Sequence, residues 1–369
     1  MITSLKIEHF KSIEDLDIEC SRINIFIGDP NTGKSNILES LGVLSFCGSL
    51  IPGNQGIQEF VRFQYLADLF TDGSLDRDVK ISIKNKTDAG VIYDSILIKP
   101  ESSEYKFFKD TYNETDKEKW DNTVPHIAPK QNIGPTSQSV GSLPLVITLR
   151  NNGQFSKQGD YQKSKLRNFH PIKFYRFHEQ VDFNDQSTDE FKPPYGRNLV
   201  HFINAHKKLQ EMVGNILKDE GYRLLLKPWE NKIEIIRDSD FISRAFPYFL
   251  MSDTLQRIIF YLITIRSNEN ATLVFEEPES HSFPYYTKNL GEIIALDKKN
   301  QYFIATHNPY LLYAIISKAP KEDVNVFITF MDKKKYQTKV KKLEFDSVTE
   351  LLKSDPFLNL HIFLDEDKG

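Results

Sequence analysis

The stretch "INIFIGDPNTGKSNILESL", residues 23–41, decides how the chain is read. Ile23 to Ile27 is an apolar run of the length of a buried strand. It stops at Gly28, and a polar loop follows that ends in Gly33-Lys34-Ser35. Beyond the loop, Ile37, Leu38 and Leu41 recur at helical spacing. Gly28, Gly33, Lys34 and Ser35 match the pattern G-x-x-x-x-G-K-[ST], in the strand–loop–helix context that the pattern requires. Glycines let the chain curl until successive backbone N–H groups point inward at an anion. A helix starting near Lys34 adds the positive end of its dipole. In this reading Lys34 reaches the β- and γ-phosphates of a nucleotide, and the Ser35 hydroxyl ligates Mg²⁺. The nucleotide contacts are expected over Gly28, Asp29, Pro30, Asn31, Thr32, Gly33, Lys34, Ser35 and Asn36. The competing reading is an ordinary glycine-containing turn between strand and helix.

Hydrolysis needs a carboxylate near Mg²⁺ and a group that orients the attacking water. The stretch "ATLVFEEPES", residues 271–280, supplies both. Leu273, Val274 and Phe275 form an apolar strand, and two acids follow at once. Ligands bind at such strand ends in open α/β sheets. Glu276 is placed beside Mg²⁺ and Glu277 beside the water. In "QYFIATHNPYLL", residues 301–312, a second strand ends at Thr306-His307-Asn308, where His307 is placed to donate to a γ-phosphate.

The rest of the chain is consistent with a globular protein. It has 369 residues, is 40% hydrophobic and 27% charged, and carries a formal charge of -4. Length alone allows one large domain or two. The slightly acidic balance gives no global basic excess of the kind that marks a dedicated nucleic-acid binder. Cys20 and Cys47 form neither a metal spacing nor a disulfide framework. No leader-like segment and no apolar run long enough to cross a membrane is read, and a reducing cytoplasm is expected.

Strands are expected over residues 2–8, 16–19, 23–27, 79–84, 91–98, 171–177, 222–226, 232–236, 272–275, 301–305, 324–329 and 338–343. Helices are expected over 34–46, 59–69, 198–217, 253–266, 285–296 and from 309 to 316. Residues 109–142 and 151–165 are polar and turn-rich and read as surface excursions. Phe183 to Tyr195 reads as a polar linker.

Phosphate loop, then Glu-Glu-Pro-Glu, then Thr-His-Asn-Pro: this order resembles ABC-type ATPases of the RecF/SMC-like clade. More narrowly it is similar to the OLD (overcoming lysogenisation defect) and abortive-infection ATP-binding proteins, as is the opening "LKIEHFKSIEDLDIE". The likeness is dense over residues 1–45 and 245–316. It implies an α/β, ABC-type P-loop ATPase head with a mixed, partly parallel core sheet, an antiparallel strand layer and an accessory insertion. One ATPase domain over 1–369 is expected, with an N-terminal lobe over 1–100, the insertion over 101–190 and a C-terminal lobe over 191–369. Residue by residue, the resemblance puts Lys11 and Ser12 near the nucleotide. It makes Gly28 to Ser35 the Walker A loop, Glu276 the Walker B acid, Glu277 the catalytic glutamate and His307 the switch histidine. Ser252, in "LMSDTLQR", falls where the family has its signature helix and would touch ATP on a second subunit. A plain helix cap is the other reading of Ser252. Gln180, after "IKFYRF", is the better placed Q-loop residue for the metal, and Gln64 is the other candidate. The resemblance further implies ATP and Mg²⁺, a homodimer or higher oligomer, and a separate effector such as a nuclease in phage defence; the alternatives are a nucleotide-gated scaffold that hydrolyses slowly or not at all and a DNA-repair ATPase of RecF type. Departures are Glu276 where the family usually has Asp, Thr254 where a signature glycine is expected, and too few residues after His307 for a TOPRIM domain.

Overall fold

The computed structural model describes residues 1–48, 56–87, 90–101, 104–113, 145–156, 171–179, 183–353, 357 and 360–364. Gln180, Asp88-Ala89, the greater part of the two turn-rich excursions and the acids of the final "DEDKG" lie outside the described residues. The chain divides into two compact units. One comprises Met1–Ser21, Pro30–Ile172 and Thr329–Val340; the other comprises Arg22–Asp29, Lys173–Ile328 and Lys341–Gly369.

The first unit is built on a six-stranded sheet in the order β2-β1-β4-β5-β6-β7. Its strands are β1 (Ile2–Phe10), β2 (Ile13–Glu19), β4 (Val79–Thr87), β5 (Gly90–Glu101), β6 (Glu104–Asn113) and β7 (Leu145–Arg150). Every neighbouring pair is antiparallel. Val79, Ile81 and Ile83 of β4 are buried while Lys80, Ser82 and Lys84 between them are half-exposed, the alternation of a sheet with one covered face. Residues 109–113, read as the start of an excursion, instead continue β6 and pair with β5. Helix α1 (Lys34–Gly48) belongs to this unit and packs on β1. Its Cys47 is buried, which pushes the thiol up to about 12, while Cys20 just after β2 is half-buried. The helix expected over 59–69 is not continuous. Two short 3-10 turns, Ile57–Glu59 and Leu66–Leu69, take its place. The Asp68 carboxylate accepts from the amides of Gln64 and Tyr65 and stops the helix from extending backward.

The second unit holds strands that are buried on both faces. These are β3 (Ile23–Ile27), β12 (Thr272–Glu276), β13 (Gln301–Ala305) and the first part of β14 (Val324–Asp332). All five residues of β3 and of β13 are buried. The sheet order is β15-β14-β3-β13-β12-β8, with β8 at Ile172–Tyr175 and β15 at Gln337–Leu343. β14, β3, β13 and β12 run parallel to one another. Rings of Phe26, Phe303 and Phe327 stack side by side across three of these strands. Arg22, at the foot of β3, pairs with Asp323 at 3.0 Å and donates to the carbonyls of Ile294 and Ala295.

Helices α4 (Asp253–Ser267), α5 (Pro284–Leu296) and α6 (Pro309–Lys318) pack into the same unit, and α5 and α6 follow β12 and β13 directly. The helix expected over 198–217 breaks into α2 (Leu199–Ala205) and α3 (Lys207–Asp219). At the break His206 turns to an extended backbone, and its Nδ1 lies 2.8 Å from the Phe202 carbonyl. A second sheet in the order β11-β10-β9 is formed by β9 (Arg223–Lys227), β10 (Lys232–Asp238) and β11 (Ser243–Pro247). The expected hairpin turns at Asn231, whose φ of +55 is the left-handed conformation that asparagine tolerates. The stretch read as a polar linker is part of the core, since Phe183 and Phe191 are buried and Tyr175 stacks on Phe191. A short last helix, α7 (Phe345–Leu351), follows β15.

Candidate nucleotide-binding site

Three parallel neighbours of the second unit end at one edge. The register pairs Phe26 of β3 with Ala305 of β13, and Ala305 with Glu276 of β12. Gly28 therefore leaves the sheet beside Thr306-His307, and these leave it beside Glu276-Glu277. The Thr306 amide donates to the Phe26 carbonyl at 3.1 Å, which carries the pairing one residue beyond the strand.

The loop after β3 is shaped by its glycines. Gly28 has φ +153 and Gly33 φ +94, backbone conformations that favour glycine, and Asn31 sits at φ +62. A Cβ on Gly33 would lie 1.9 Å from the Thr338 hydroxyl oxygen. Beyond Gly33, the Ile37 amide donates to the Gly33 carbonyl at 3.2 Å and starts α1. Lys34 is buried and Ser35 half-buried. Thr32 is buried, with its hydroxyl 2.9 Å from that of Thr329. Asn36 donates to the Ser12 hydroxyl at 2.7 Å, and Ser12 in turn lies 2.6 Å from the Thr338 hydroxyl. Ser12 and Asn36 are thus joined in the first unit. Lys11, with φ +51, is paired with the fully buried carboxylate of Glu39 on α1 and donates to the Arg62 carbonyl at 2.6 Å. Glu39 also accepts from Arg62 at 2.6 Å, so two cations share one buried acid. Gln64 is exposed ahead of the Leu66–Leu69 turn.

In the second unit Glu276 is nearly buried and pairs with Arg176 at 2.5 Å. The Arg176 guanidinium also lies 5.1 Å from the centre of the Phe174 ring. Glu277 is half-exposed and holds a left-handed backbone at φ +43. Its amide donates to the Ala305 carbonyl at 2.9 Å, its Oε1 lies 3.5 Å from His307 Nε2, and its Oε2 accepts from Ser280 at 3.1 Å. Two residues on, Glu279 is only 5% exposed and accepts from the Thr306 hydroxyl at 2.5 Å. Burial raises the Glu279 carboxyl to about 7, and the charge of Glu277 adds to the rise. The Thr306 hydroxyl and the amides of Glu279 and His307 oppose it. Asn308 caps α6 by accepting from the amides of Tyr310 and Leu311. Ser252 is exposed and caps α4 by accepting from the Leu255 amide at 3.4 Å. Thr254, where a glycine was expected, donates to the His281 carbonyl at 3.2 Å.

These residues suit a triphosphate and a hard cation. The glycine backbone and the start of a fifteen-residue helix present N–H groups to an anion. In the first unit Ser35 carries a hydroxyl at the start of α1, and in the second unit Glu276 carries a carboxylate at the end of β12. Among the described residues no cluster of three or more His, Cys, Asp or Glu could hold a metal unaided.

The family model described as "AAA domain, putative AbiEii toxin, Type IV TA system" matches residues 23–312, from β3 through His307 into α6. The chain belongs to this AAA-domain family. The fold is that of an ABC-type P-loop ATPase head, α/β with mixed sheets, and solved SMC heads share it. An SMC head bound to the C-winged helix domain of ScpA matches with a TM-score of 0.54 at 14% identity, over 95% of this chain and 99% of that one. An SMC head with an extended coiled coil from Pyrococcus furiosus, bound to the C-terminal domain of ScpA, reaches 0.55 at 12%, over 95% and 98%. One from Pyrococcus yayanosii reaches 0.51 at 11%, over 95% and 99%. No curated protein sequence matches. Among the described residues no helix is long and apolar enough to cross a membrane.

Two residues beside Glu276 and Glu277 escaped the sequence reading, Arg176 and the buried Glu279; Thr306 was named there only as the end of a strand. Arg176 gives no signal, because only the fold brings it to Glu276. Glu279 stood in the quoted Glu-Glu-Pro-Glu run, but nothing in a run of acids marks which one is buried.

Proposed function

We propose that this chain is a Mg²⁺-dependent ATPase of the OLD-like, abortive-infection type that dimerises around ATP and controls a separate effector, such as a nuclease in phage defence. The observation that carries the reading is the shared edge at which β3, β13 and β12 deliver Gly28, His307 and the Glu276-Glu277 pair. Lys34 holds the β- and γ-phosphates through charge-assisted hydrogen bonds, and loop amides from Gly28 to Asn36 surround them. Ser35 and Glu276 would hold Mg²⁺, with Gln180, which lies outside the described residues, as a further ligand; the ion would supply positive charge against the phosphoryl group in transfer. Glu277 orients the attacking water and accepts its proton. His307, 3.5 Å from Glu277, donates to the γ-phosphate. Lys11 and Ser12 support the loop. The effector and its role rest on family likeness alone.

Ser252 completes the proposal from a second copy. Its exposed hydroxyl stands at the start of a fifteen-residue helix, where an anion is stabilised. ATP with Mg²⁺ is expected to give a dimer on a Glu277→Gln background, and Ser252→Arg is expected to abolish that dimer while ATP still binds the monomer. Light scattering after size separation reads the outcome; normal dimerisation of Ser252→Arg reduces Ser252 to a helix cap.

One observation favours a second reading, a nucleotide-gated scaffold with slow turnover. Arg176 lies on the carboxylate assigned to Mg²⁺. If Arg176 stays there with ATP bound, purified protein binds ATP and releases almost no phosphate. Phosphate release with Mg²⁺ and with EDTA, for wild type and Arg176→Ala, separates the two readings.

A further inference from the structure

We propose that Glu279 is a positioning residue that sets how Glu277 and His307 meet. The inference rests on the hydrolytic reading above. β12 and β13 are parallel neighbours, and each runs directly into a loop that carries one of the two groups. Two hydrogen bonds of ordinary length tie the loops together, and the His307 amide also acts on the Glu279 carboxyl. One is main-chain, from the Glu277 amide to the Ala305 carbonyl at 2.9 Å. The other is made by side chains, from the Thr306 hydroxyl to Glu279 Oε1 at 2.5 Å. The same hydroxyl accepts from the Asn308 amide at 2.9 Å. Its single proton and a lone pair are both engaged, so the segment around His307 is fixed to the Glu279 side chain.

Glu279 is costly where it stands. It is 5% exposed, and its Oε2 has no hydrogen-bond partner among the described residues. A carboxyl kept there for packing alone would be better replaced by an apolar side chain. The loop it pins is also strained. Glu277 and His281, on either side of Glu279, both have left-handed backbones, φ +43 and +60. Such conformations persist where the surroundings over-determine them. Glu277 and His307 are themselves 46% and 37% exposed and stand in loops. Their 3.5 Å approach depends on the buried link beneath them, Glu279 to Thr306.

Phosphate release and equilibrium ATP binding are measured for wild type, Glu279→Ala, Glu279→Gln, Thr306→Val, Thr306→Ser and the Glu279→Ala/Thr306→Val double variant. Glu279→Ala is expected to lower kcat by about ten- to a hundredfold, the scale of a misplacement near one ångström, and to leave ATP affinity within about twofold. Thr306→Val should do the same, and the double variant should be no worse than the poorer single, as for two ends of one link. Gln at 279 keeps a carbonyl acceptor and Ser at 306 keeps a hydroxyl, so both should retain most of the activity. Equal loss in Glu279→Gln and Glu279→Ala would make the carboxylate itself the active group and overturn positioning. Additive losses in the double variant, or an unchanged kcat in Glu279→Ala, would also overturn it. If Glu279→Ala does not fold, the contrast between Thr306→Val and Thr306→Ser decides alone. A wild type that releases no phosphate overturns the hydrolytic reading and this inference together. A wild type that turns over while both single variants keep its kcat overturns only the inference.

Discussion

The loop after β3 takes its shape from backbone, whereas the loop after β12 takes its shape from side chains. In the first, Gly28 and Gly33 adopt φ values of +153 and +94, and Thr338 fills the space where a Cβ on Gly33 would stand. In the second, a glutamate accepts a left-handed backbone, and bonds from Glu277, Glu279 and Ser280 hold it in place. A backbone cradle offers N–H groups whose placement needs no ionisation, so it suits an anion that must be bound firmly. A side-chain loop offers carboxyls whose charge can be tuned one at a time, so it suits proton handling. Binding and turnover are thus expected to separate cleanly between the two loops.

The sharpest break would come from Glu277→Gln. In the proposed reading Glu277 is the acid–base group, and the change should cut phosphate release by about two to four orders of magnitude. Equilibrium ATP binding should stay near wild type, because the loop after β3 is untouched. A variant that turns over like wild type would reduce Glu277 to a strand-end carboxylate. Lys34→Ala probes the opposite loop and should act on binding. Loss of a charge-assisted contact to phosphate is worth about 1.5–3 kcal/mol, or roughly ten- to a hundredfold in affinity. Unchanged ATP affinity in titration calorimetry would overturn the assignment of the phosphate loop.

The smallest effect lies in pH. Burial raises Glu279 to about 7 from an ordinary 4.5, so the folded chain binds that proton more tightly than the unfolded chain. The associated stability is fully present below pH 4.5 and is lost as pH rises through 7, with a slope of about 1.4 kcal/mol per pH unit for one proton. Glu279→Gln should lose this slope. Urea midpoints of wild type and variant at several pH values between 4.5 and 8 read the difference, and parallel profiles would show that Glu279 ionises normally.

Much of this was legible in the sequence where one local rule sufficed. β3, β13 and the start of β12 stand as apolar runs bounded by polar residues, and the positive φ values of Gly28 and Gly33 answer to glycines that the sequence shows. Legibility failed where tertiary partners decide. Apolar spacing over 59–69 satisfies a helix, but the Asp68 carboxylate captures the Gln64 and Tyr65 amides. The 198–217 helix continues on paper, yet the chain turns at His206. β11 was missed because its residues are exposed along almost the whole strand, so only backbone pairing with β10 defines it. Glu279 and Glu277 look alike in the sequence, and what separates them is depth beneath the strand edge.

The seclusion of Cys47 bears on chemical labelling. Thiol-reactive dyes attack the thiolate, and a thiol held near 12 has almost none at neutral pH. Of the two cysteines in the chain, Cys20 alone is within reach of solvent in the folded state. Folded protein offered a maleimide should gain one label and urea-unfolded protein two, as intact mass would count. The native sequence therefore offers a ready-made site for a single fluorophore just after β2, without engineering.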